Sequence, residues 1–391
     1  MKTPYKLSED TFDNREIKAV KKLLDSKEKL TYGKYVKTLE KKIASINKRK
    51  FCIMVNSGSS ANLIGISSLI HSKKFHLKKG DEVIVPSLSW STTYSPLIQN
   101  YLKLVFVDIN VETLNIDEGK IEKSISKKTK AIFVANILGK SCNLQKISKI
   151  CKSNNLILMV DNCESFLSKS KGILSSKFGS FSTLSSFFSH HFSTIEGGYI
   201  LTDSFDIYCN ALSLRSHGWI REQPQNSKLI NKNYSKFEKS YKFVLPGYNL
   251  RPNEINAVLG LEQIKKVKDF IKCRKENANF FYNLFRECSN CHLQKYDKES
   301  SFFAFAIIFK RNIRNKVLIE LKKIGIETRP IVSGNITRNK MIQNSDYKIK
   351  EKLINAEIID KRGIMIGNRS TQFNKKDKKA LINLRNIIES F

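Results

Sequence analysis

Phe51-Cys52-Ile53-Met54-Val55-Asn56-Ser57-Gly58-Ser59-Ser60-Ala61-Asn62 is the stretch whose reading decides the fold. Five β-favouring apolar residues run into small polar ones, and a helical pattern follows from Ala61 to Ile70. A strand that enters a helix through such a turn is half of a crossover unit. The turn's amides point outward without acceptors and favour an anion, and small side chains let a phosphate approach. By itself the stretch reads equally well as an ordinary serine cap.

The same alternation continues downstream. Glu82–Val85, stopped by Pro86, then Leu104–Val107, Ala131–Val134, Leu156–Val160 and Gly197–Thr202 read as strands, and Ile207–Ser216 as a helix. Strands separated by helices predict an α/β fold: a mostly parallel sheet with helices on both faces and ligands beyond the carboxyl ends of its strands. From Pro252 the spacing of Ile255, Val258, Leu259, Leu261 and Ile264 predicts a long helix, with the proline in its first turn. A strand at Phe302–Phe309 and a helix at Arg314–Ile324 predict a smaller C-terminal α+β domain. We expect a large domain over 1–270 and a small one over 271–391, with a helix around Arg15–Leu24 packing on the small domain.

The chain has 391 residues and a formal charge of +33. Its lysines are spread throughout, without a nucleic-acid-binding motif or a basic tail, so compositional bias explains the charge better than a nucleic-acid partner. No apolar run is long enough to cross a bilayer. The first residues, MKTPYKLSEDTFDNRE, lack the apolar stretch of a secretory signal, so a cytoplasmic enzyme is expected. Eight cysteines are then expected as thiols. Cys288-Ser289-Asn290-Cys291-His292 matches a haem-attachment spacing and reads as coincidence in an unexported chain.

Three further constellations carry chemistry. Asp161 follows the apolar run Leu158-Met159-Val160, where a carboxylate can face a cofactor's pyridinium nitrogen or simply cap the next element. Ser185-Ser186-Phe187-Phe188-Ser189-His190-His191-Phe192-Ser193-Thr194-Ile195-Glu196-Gly197-Gly198 sets two histidines before an acid and a glycine pair. Adjacent histidines rarely share a metal, which leaves a site histidine or a core pair. Pro246-Gly247-Tyr248-Asn249-Leu250-Arg251-Pro252-Asn253-Glu254 is a polar turn opening a helix.

In this order, and with Val85-Pro86-Ser87-Leu88-Ser89-Trp90-Ser91-Thr92-Thr93, these segments resemble the DegT-type sugar aminotransferases over roughly residues 10–385. The resemblance implies a type I (aspartate aminotransferase-like) pyridoxal phosphate fold. It places Gly58, Ser59 and Ser185 at the cofactor phosphate and Trp90 on the pyridine ring. Asp161 falls at the ring nitrogen and Glu164 near the ring. Asn249 would reach the phosphate of a neighbouring subunit, which implies a homodimer with shared active sites.

The chain departs from that family at one position. Where the aminotransferases carry the lysine that binds the cofactor covalently, this chain has histidine, and no lysine occurs between Lys177 and Lys228. Counting back from Glu196-Gly197-Gly198 selects His190, and counting forward from Ser186 selects His191. His190 keeps Ser185 at the family's offset. The substitution resembles that of the nucleotide-sugar 3-dehydratases. One kind acts on a CDP-linked 4-keto-6-deoxyglucose through an iron–sulfur cluster. The other acts on a GDP-linked 4-keto-6-deoxymannose, uses glutamate and has no cluster. The stretch after Leu214-Arg215-Ser216-His217-Gly218 contains no cysteine as far as Tyr248, and such clusters need about four thiolates, so the second kind fits better. The nearest alternative is an ordinary nucleotide-sugar aminotransferase.

Histidine cannot hold the cofactor covalently but can move a proton, with an unperturbed pKa of about 6.5. The resemblance implies that glutamate converts pyridoxal phosphate to its pyridoxamine form, that the amine meets the sugar's 4-ketone, and that His190 shuttles the proton as the C3 hydroxyl leaves. His217 is a second candidate acid or base. Arg329 would contact the nucleotide-sugar or the glutamate carboxylate.

Overall fold

The computed structural model describes residues 5–231 and 233–391. Two helices lead in, α1 (Asn14–Asp25) and α2 (Lys34–Ile46). Asp13 starts α1 with a reciprocal cap: its side chain accepts from the helix backbone while Glu16 accepts from the Asp13 amide.

The large sheet is built from β1 (Phe51–Val55), β2 (Glu82–Pro86), β3 (Lys103–Val107), β4 (Thr129–Ala135), β5 (Ile157–Asp161), β6 (Phe181–Ser185) and β7 (Gly198–Thr202). These are short, β-branched runs with almost every side chain buried, as a sheet covered on both faces requires. Crossover helices include α3 (Gly58–Ile70), α4 (Ser91–Gln99) and α5 (Leu144–Ser153). α6 (Phe205–Arg215) follows β7. The observed bounds lie within a few residues of those read from periodicity. β6 is the exception: its polar sequence Phe-Ser-Thr-Leu-Ser hides a fully buried strand.

α7 (Glu254–Leu284) is a single 31-residue helix. Its cap is Asn253, whose side chain accepts from the Asn256 amide at 2.9 Å. Pro252 therefore lies just outside the helix, one position before the cap. The helix runs unbroken across the expected boundary at residue 270/271, and no linker separates the two halves. α1 packs along α7, where the buried Glu16 meets Lys266 at 2.5 Å and Gln263 at 2.8 Å. It thus rests on the first half of the long helix, while Tyr5, farther upstream, enters the C-terminal core.

That C-terminal part carries an antiparallel sheet of β8 (Cys291–Leu293), β9 (Ala304–Phe309) and β11 (Gly363–Gly367). β10 (Tyr347–Ile349) leaves it and pairs in parallel with β3 at the edge of the large sheet. The large sheet therefore has eight strands in the order β1-β7-β6-β5-β4-β2-β3-β10, all parallel except β7. Phe303, Ala304, Ile331 and Met365 join the core of the large sheet, so the two parts are packed together. Cys288 and Cys291 lie side by side as buried thiols, Sγ atoms 3.4 Å apart.

Candidate active site

The carboxyl ends of β1, β2, β5 and β6 deliver most of the site, as expected for an open α/β sheet. They surround a cavity of about 350 Å³ lined by Gly58, Ser59, Trp90, Asp161, Glu164, Ser185, His190 and Arg329, with further residues described below. No lysine lines it.

Its floor is the first turn of α3. Ser57 caps the helix by accepting from the Ser60 amide at 3.1 Å. The Gly58 and Ser59 amides have no intrahelical acceptor at these positions. A Cβ on Gly58 would lie 2.7 Å from Cβ of Ser185 and 3.0 Å from Sγ of Cys163. Any side chain there would fill the cradle, so the glycine is needed for close approach. Ser59 Oγ is 3.0 Å from Thr92 Oγ1, and Ser185 Oγ accepts from the Phe187 amide at 3.2 Å. Backbone amides and hydroxyls at a helix N-terminus suit a phosphate.

Asp161 is buried at the end of β5. Its Oδ2 accepts from Asn62 Nδ2 at 2.8 Å and Thr93 Oγ1 at 2.9 Å, and its Oδ1 from the Cys163 amide at 3.0 Å. Asn62 is itself anchored by Thr183 Oγ1 at 2.6 Å. The carboxylate is thus oriented by neutral donors, and no cation among the described residues pairs with it. Glu164 accepts from the Leu138 amide at 3.0 Å. Burial raises its pKa, against the opposing pull of that amide and of Arg329. Trp90 is half-exposed at the start of α4, and the Arg329 guanidinium lies 5.7 Å from its ring centre. Arg329 Nε is buried without a partner among the described residues, leaving a donor free for an anionic ligand.

The loop from Ser186 to Gly197 closes on itself: the Ser186 amide donates to the Gly197 carbonyl and the Thr194 amide to the Ser186 carbonyl, each at 2.9 Å. The two histidines part company here. His190 lines the cavity, with Nδ1 2.6 Å from the Cys163 carbonyl. A carbonyl only accepts, so Nδ1 carries the proton and Nε2 holds the free lone pair. Burial pushes the imidazole down to about 4; the Cys163 bond opposes this, and Arg274 adds to it. The ordinary value expected from the sequence is therefore displaced, and the ring is neutral near neutrality. His191 is buried behind it, Nε2 3.3 Å from the Ser301 carbonyl, and lines no part of the cavity.

His217 and Asn249 are not brought to the cavity of their own chain. His217 packs edge-on to Trp219, and Asn249 accepts from Arg251 Nε at 3.1 Å. Residues the sequence reading passed over include Asn62, Thr93, Cys163, Phe187, Glu196 and Phe303. Asn62 follows Gly58 by one helical turn and so shares its face, a signal that was available. Phe303 comes from the C-terminal part, and no local pattern marks it.

The residues present fit a pyridoxal-type cofactor: a phosphate cradle closed to any Cβ, an oriented buried acid, an aromatic wall and an imidazole with a free nitrogen. A sequence model of the DegT/DnrJ/EryC1/StrS aminotransferase family matches residues 10–383. GDP-4-keto-6-deoxy-D-mannose 3-dehydratase of Escherichia coli O55:H7 is 43% identical over 373 residues, 94% of this chain and 96% of that protein. The structure of an Escherichia coli GDP-4-keto-6-deoxy-D-mannose-3-dehydratase with bound hydrated PLP is 42% identical, covers 98% of this chain and 99% of that one, and has a TM-score of 0.94. A variant of such a dehydratase, substituted at a consecutive serine and histidine, is 41% identical over 97% of this chain and 100% of that one, with a TM-score of 0.93.

Proposed function

The chain belongs to the DegT/DnrJ/EryC1/StrS aminotransferase family, and from that premise we propose that it is a pyridoxal-phosphate-dependent, glutamate-dependent 3-dehydratase of a nucleotide-linked 4-keto-6-deoxyhexose. GDP-4-keto-6-deoxymannose is the favoured substrate, by similarity to the Escherichia coli enzyme. One observation carries the reading: an imidazole with a free Nε2 lines a cavity that no lysine among the described residues enters.

When bound, the cofactor supplies an amine for the sugar's 4-ketone and an electron sink for expelling the C3 hydroxyl. The chain's residues do the rest. Gly58, Ser59 and Ser185 would hold the phosphate. Asp161, aligned by Asn62 and Thr93, would keep the ring nitrogen protonated. Trp90 would cover the ring, and Glu164 would stand beside it. Nε2 of His190 would accept the proton released in the elimination. An imidazolium formed in surroundings that lower its pKa is a stronger acid than an ordinary one, so it would pass that proton more readily to the departing hydroxyl. Phe187 and Phe303 would limit water, and Arg329 would take an anionic group of glutamate or nucleotide-sugar.

His190 is preferred over His191 because it is the one at the cavity. The substituted pair in the related dehydratase runs serine then histidine, and within this loop only Ser189–His190 has that order.

Asn249 would serve the cavity of a second copy, giving a homodimer with shared sites. The segment between His217 and Asn249 supports this, because it exposes Phe237, Tyr241 and Phe243. No helix among the described residues is long and apolar enough to cross a membrane, and a cytoplasmic role in dideoxysugar synthesis for surface polysaccharide suits a nucleotide-sugar enzyme.

The deciding experiment incubates the protein with pyridoxal phosphate, glutamate and a panel of nucleotide-linked 4-keto-6-deoxyhexoses and follows the sugar's mass. Loss of oxygen is the expected result. Gain of an amino group would mean an aminotransferase instead.

A further inference from the structure

Four arginines of this chain are almost wholly buried: Arg49, Arg215, Arg274 and Arg369. Three meet carboxylates: Arg49 with Asp203 at 3.0 Å, Arg215 with Glu40 at 2.7 Å and Arg369 with Asp377 at 2.5 Å. Arg274 does not. Its Nη1 donates only to main-chain carbonyls, of Phe303 at 2.9 Å, Asn368 at 3.2 Å and Phe302 at 3.5 Å. Its Nε has no partner among the described residues. Burial alone acts on the guanidinium and pushes it down to about 10, so it is still charged near neutrality. An unanswered charge in the interior costs stability, so its presence calls for another explanation.

The carbonyls that it holds supply one. Phe302 has φ +47°, a backbone region in which a phenylalanine is rarely found. The segment is held there from several sides. The Ser301 and Phe303 amides donate to Gly139 and Leu138 at 2.9 and 3.1 Å, and Asn368 Nδ2 donates to the Phe302 carbonyl at 2.8 Å. A Cβ on Gly139 would overlap the Phe302 amide. The result is that the Phe303 ring lies against the imidazoles, 5.0 Å from His190 and 5.8 Å from His191.

We propose that Arg274 is a positioning residue for His190: it locks Phe303 against the imidazole and sets an unpaired positive charge behind it. The proposal rests on the reading of His190 as the proton shuttle. The other titratable and charged groups that face His190 are Asp161, Cys163, Glu164, Glu196 and Arg329 around the cavity, with His191 behind. Of these, Asp161 favours the imidazolium, whereas Arg329 and Arg274 oppose it. Arg274 opposes protonation of His191 as well. The arrangement keeps Nε2 available as a base and makes the protonated ring a readier donor.

The test is an NMR titration of the imidazole protons in the cofactor-free protein. Six histidines make the spectrum tractable, and the His190 signal is identified by its loss in His190→Asn. Arg274→Gln should move the His190 midpoint upward, while Arg274→Lys, which keeps a charge, should leave it near the parent's. A folded Arg274→Gln protein whose His190 titrates where the parent's does would overturn the proposal. If Arg274→Gln does not fold, Arg274→Met takes its place: a His190 midpoint above the parent's supports the proposal, and one that coincides with the parent's overturns it. No substrate is used, so the result stands whether or not the sugar loses oxygen. In the loaded enzyme, the acid limb of kcat should move upward in Arg274→Gln.

Discussion

The Nδ1 atom of His190 stands 2.6 Å from the carbonyl oxygen of Cys163, while the Cys163 amide donates to Asp161 at 3.0 Å. One residue of main chain thus orients both the buried acid and the imidazole. A single peptide segment sets where a ring nitrogen would sit relative to the proposed base. It also fixes the tautomer, because a carbonyl can only accept.

Replacing His190 by Asn should cut elimination by about 100-fold or more, the usual contribution of a positioned acid–base group, with cofactor binding retained. His191→Asn should keep most of the activity, with some loss of stability from its buried site. Loss of oxygen from the sugar, followed by mass, separates the two. The reverse pattern would transfer the role to His191.

The contribution of the buried histidines to the stability of the cofactor-free protein should fall as pH drops from about 6.5 toward 4, while the raised carboxyls of Glu40, Glu164 and Glu196 act in the opposite sense. Burial lowers the pKa of His190 to about 4, and those of His191 and His71 also lie below the ordinary value. The unfolded chain therefore binds protons on these histidines in this window that the folded chain refuses, and their contribution rises with pH there. His190 alone contributes up to about 3 kcal/mol. Urea unfolding at several pH values checks this, and His190→Asn should flatten part of the slope.

Gly58→Ala should weaken pyridoxal phosphate binding and also lower the stability of the fold. The added methyl would stand 2.7 Å from Cβ of Ser185, in the cradle itself. Overpacking of this kind costs the fold about 1–3 kcal/mol, read from denaturant midpoints, and the displaced cradle should lower cofactor affinity, read from the visible absorbance on titration. Unaltered affinity would place the phosphate elsewhere.

Arg215→Met should destabilise the chain by about 3–5 kcal/mol, the cost of leaving one partner of a buried pair alone. Arg215 is fully buried, with Nη1 2.7 Å from both Glu40 and the Met54 carbonyl, and its guanidinium lies 4.5 Å from the Tyr32 ring centre. Glu40→Gln should cost less, because an amide oxygen still accepts from the guanidinium. Denaturant midpoints measure both.

The strands of the parallel sheet and the long helix were legible in the sequence because their apolar residues recur at the periods that burial demands. The small-residue turn at Gly58, the acid at Asp161 and the missing lysine were legible as local patterns. β6 was not: its serines and threonine satisfy their hydroxyls inside the protein, as Ser182 does on the Ser176 carbonyl, and a polar run carries no strand period. β10 was not either, because its partner β3 lies more than two hundred residues away.

The sequence by itself determined the fold class, the family and the replacement of lysine by histidine. It favoured His190 over His191 only through the family's offset from Ser185, because neighbours in a loop share composition and differ only in direction. The tertiary structure set them apart in position, by turning one toward the cavity under the Cys163 carbonyl and the other toward Ser301. It alone revealed Phe303 and Arg274, since a contact made across the two cores leaves no trace in local spacing.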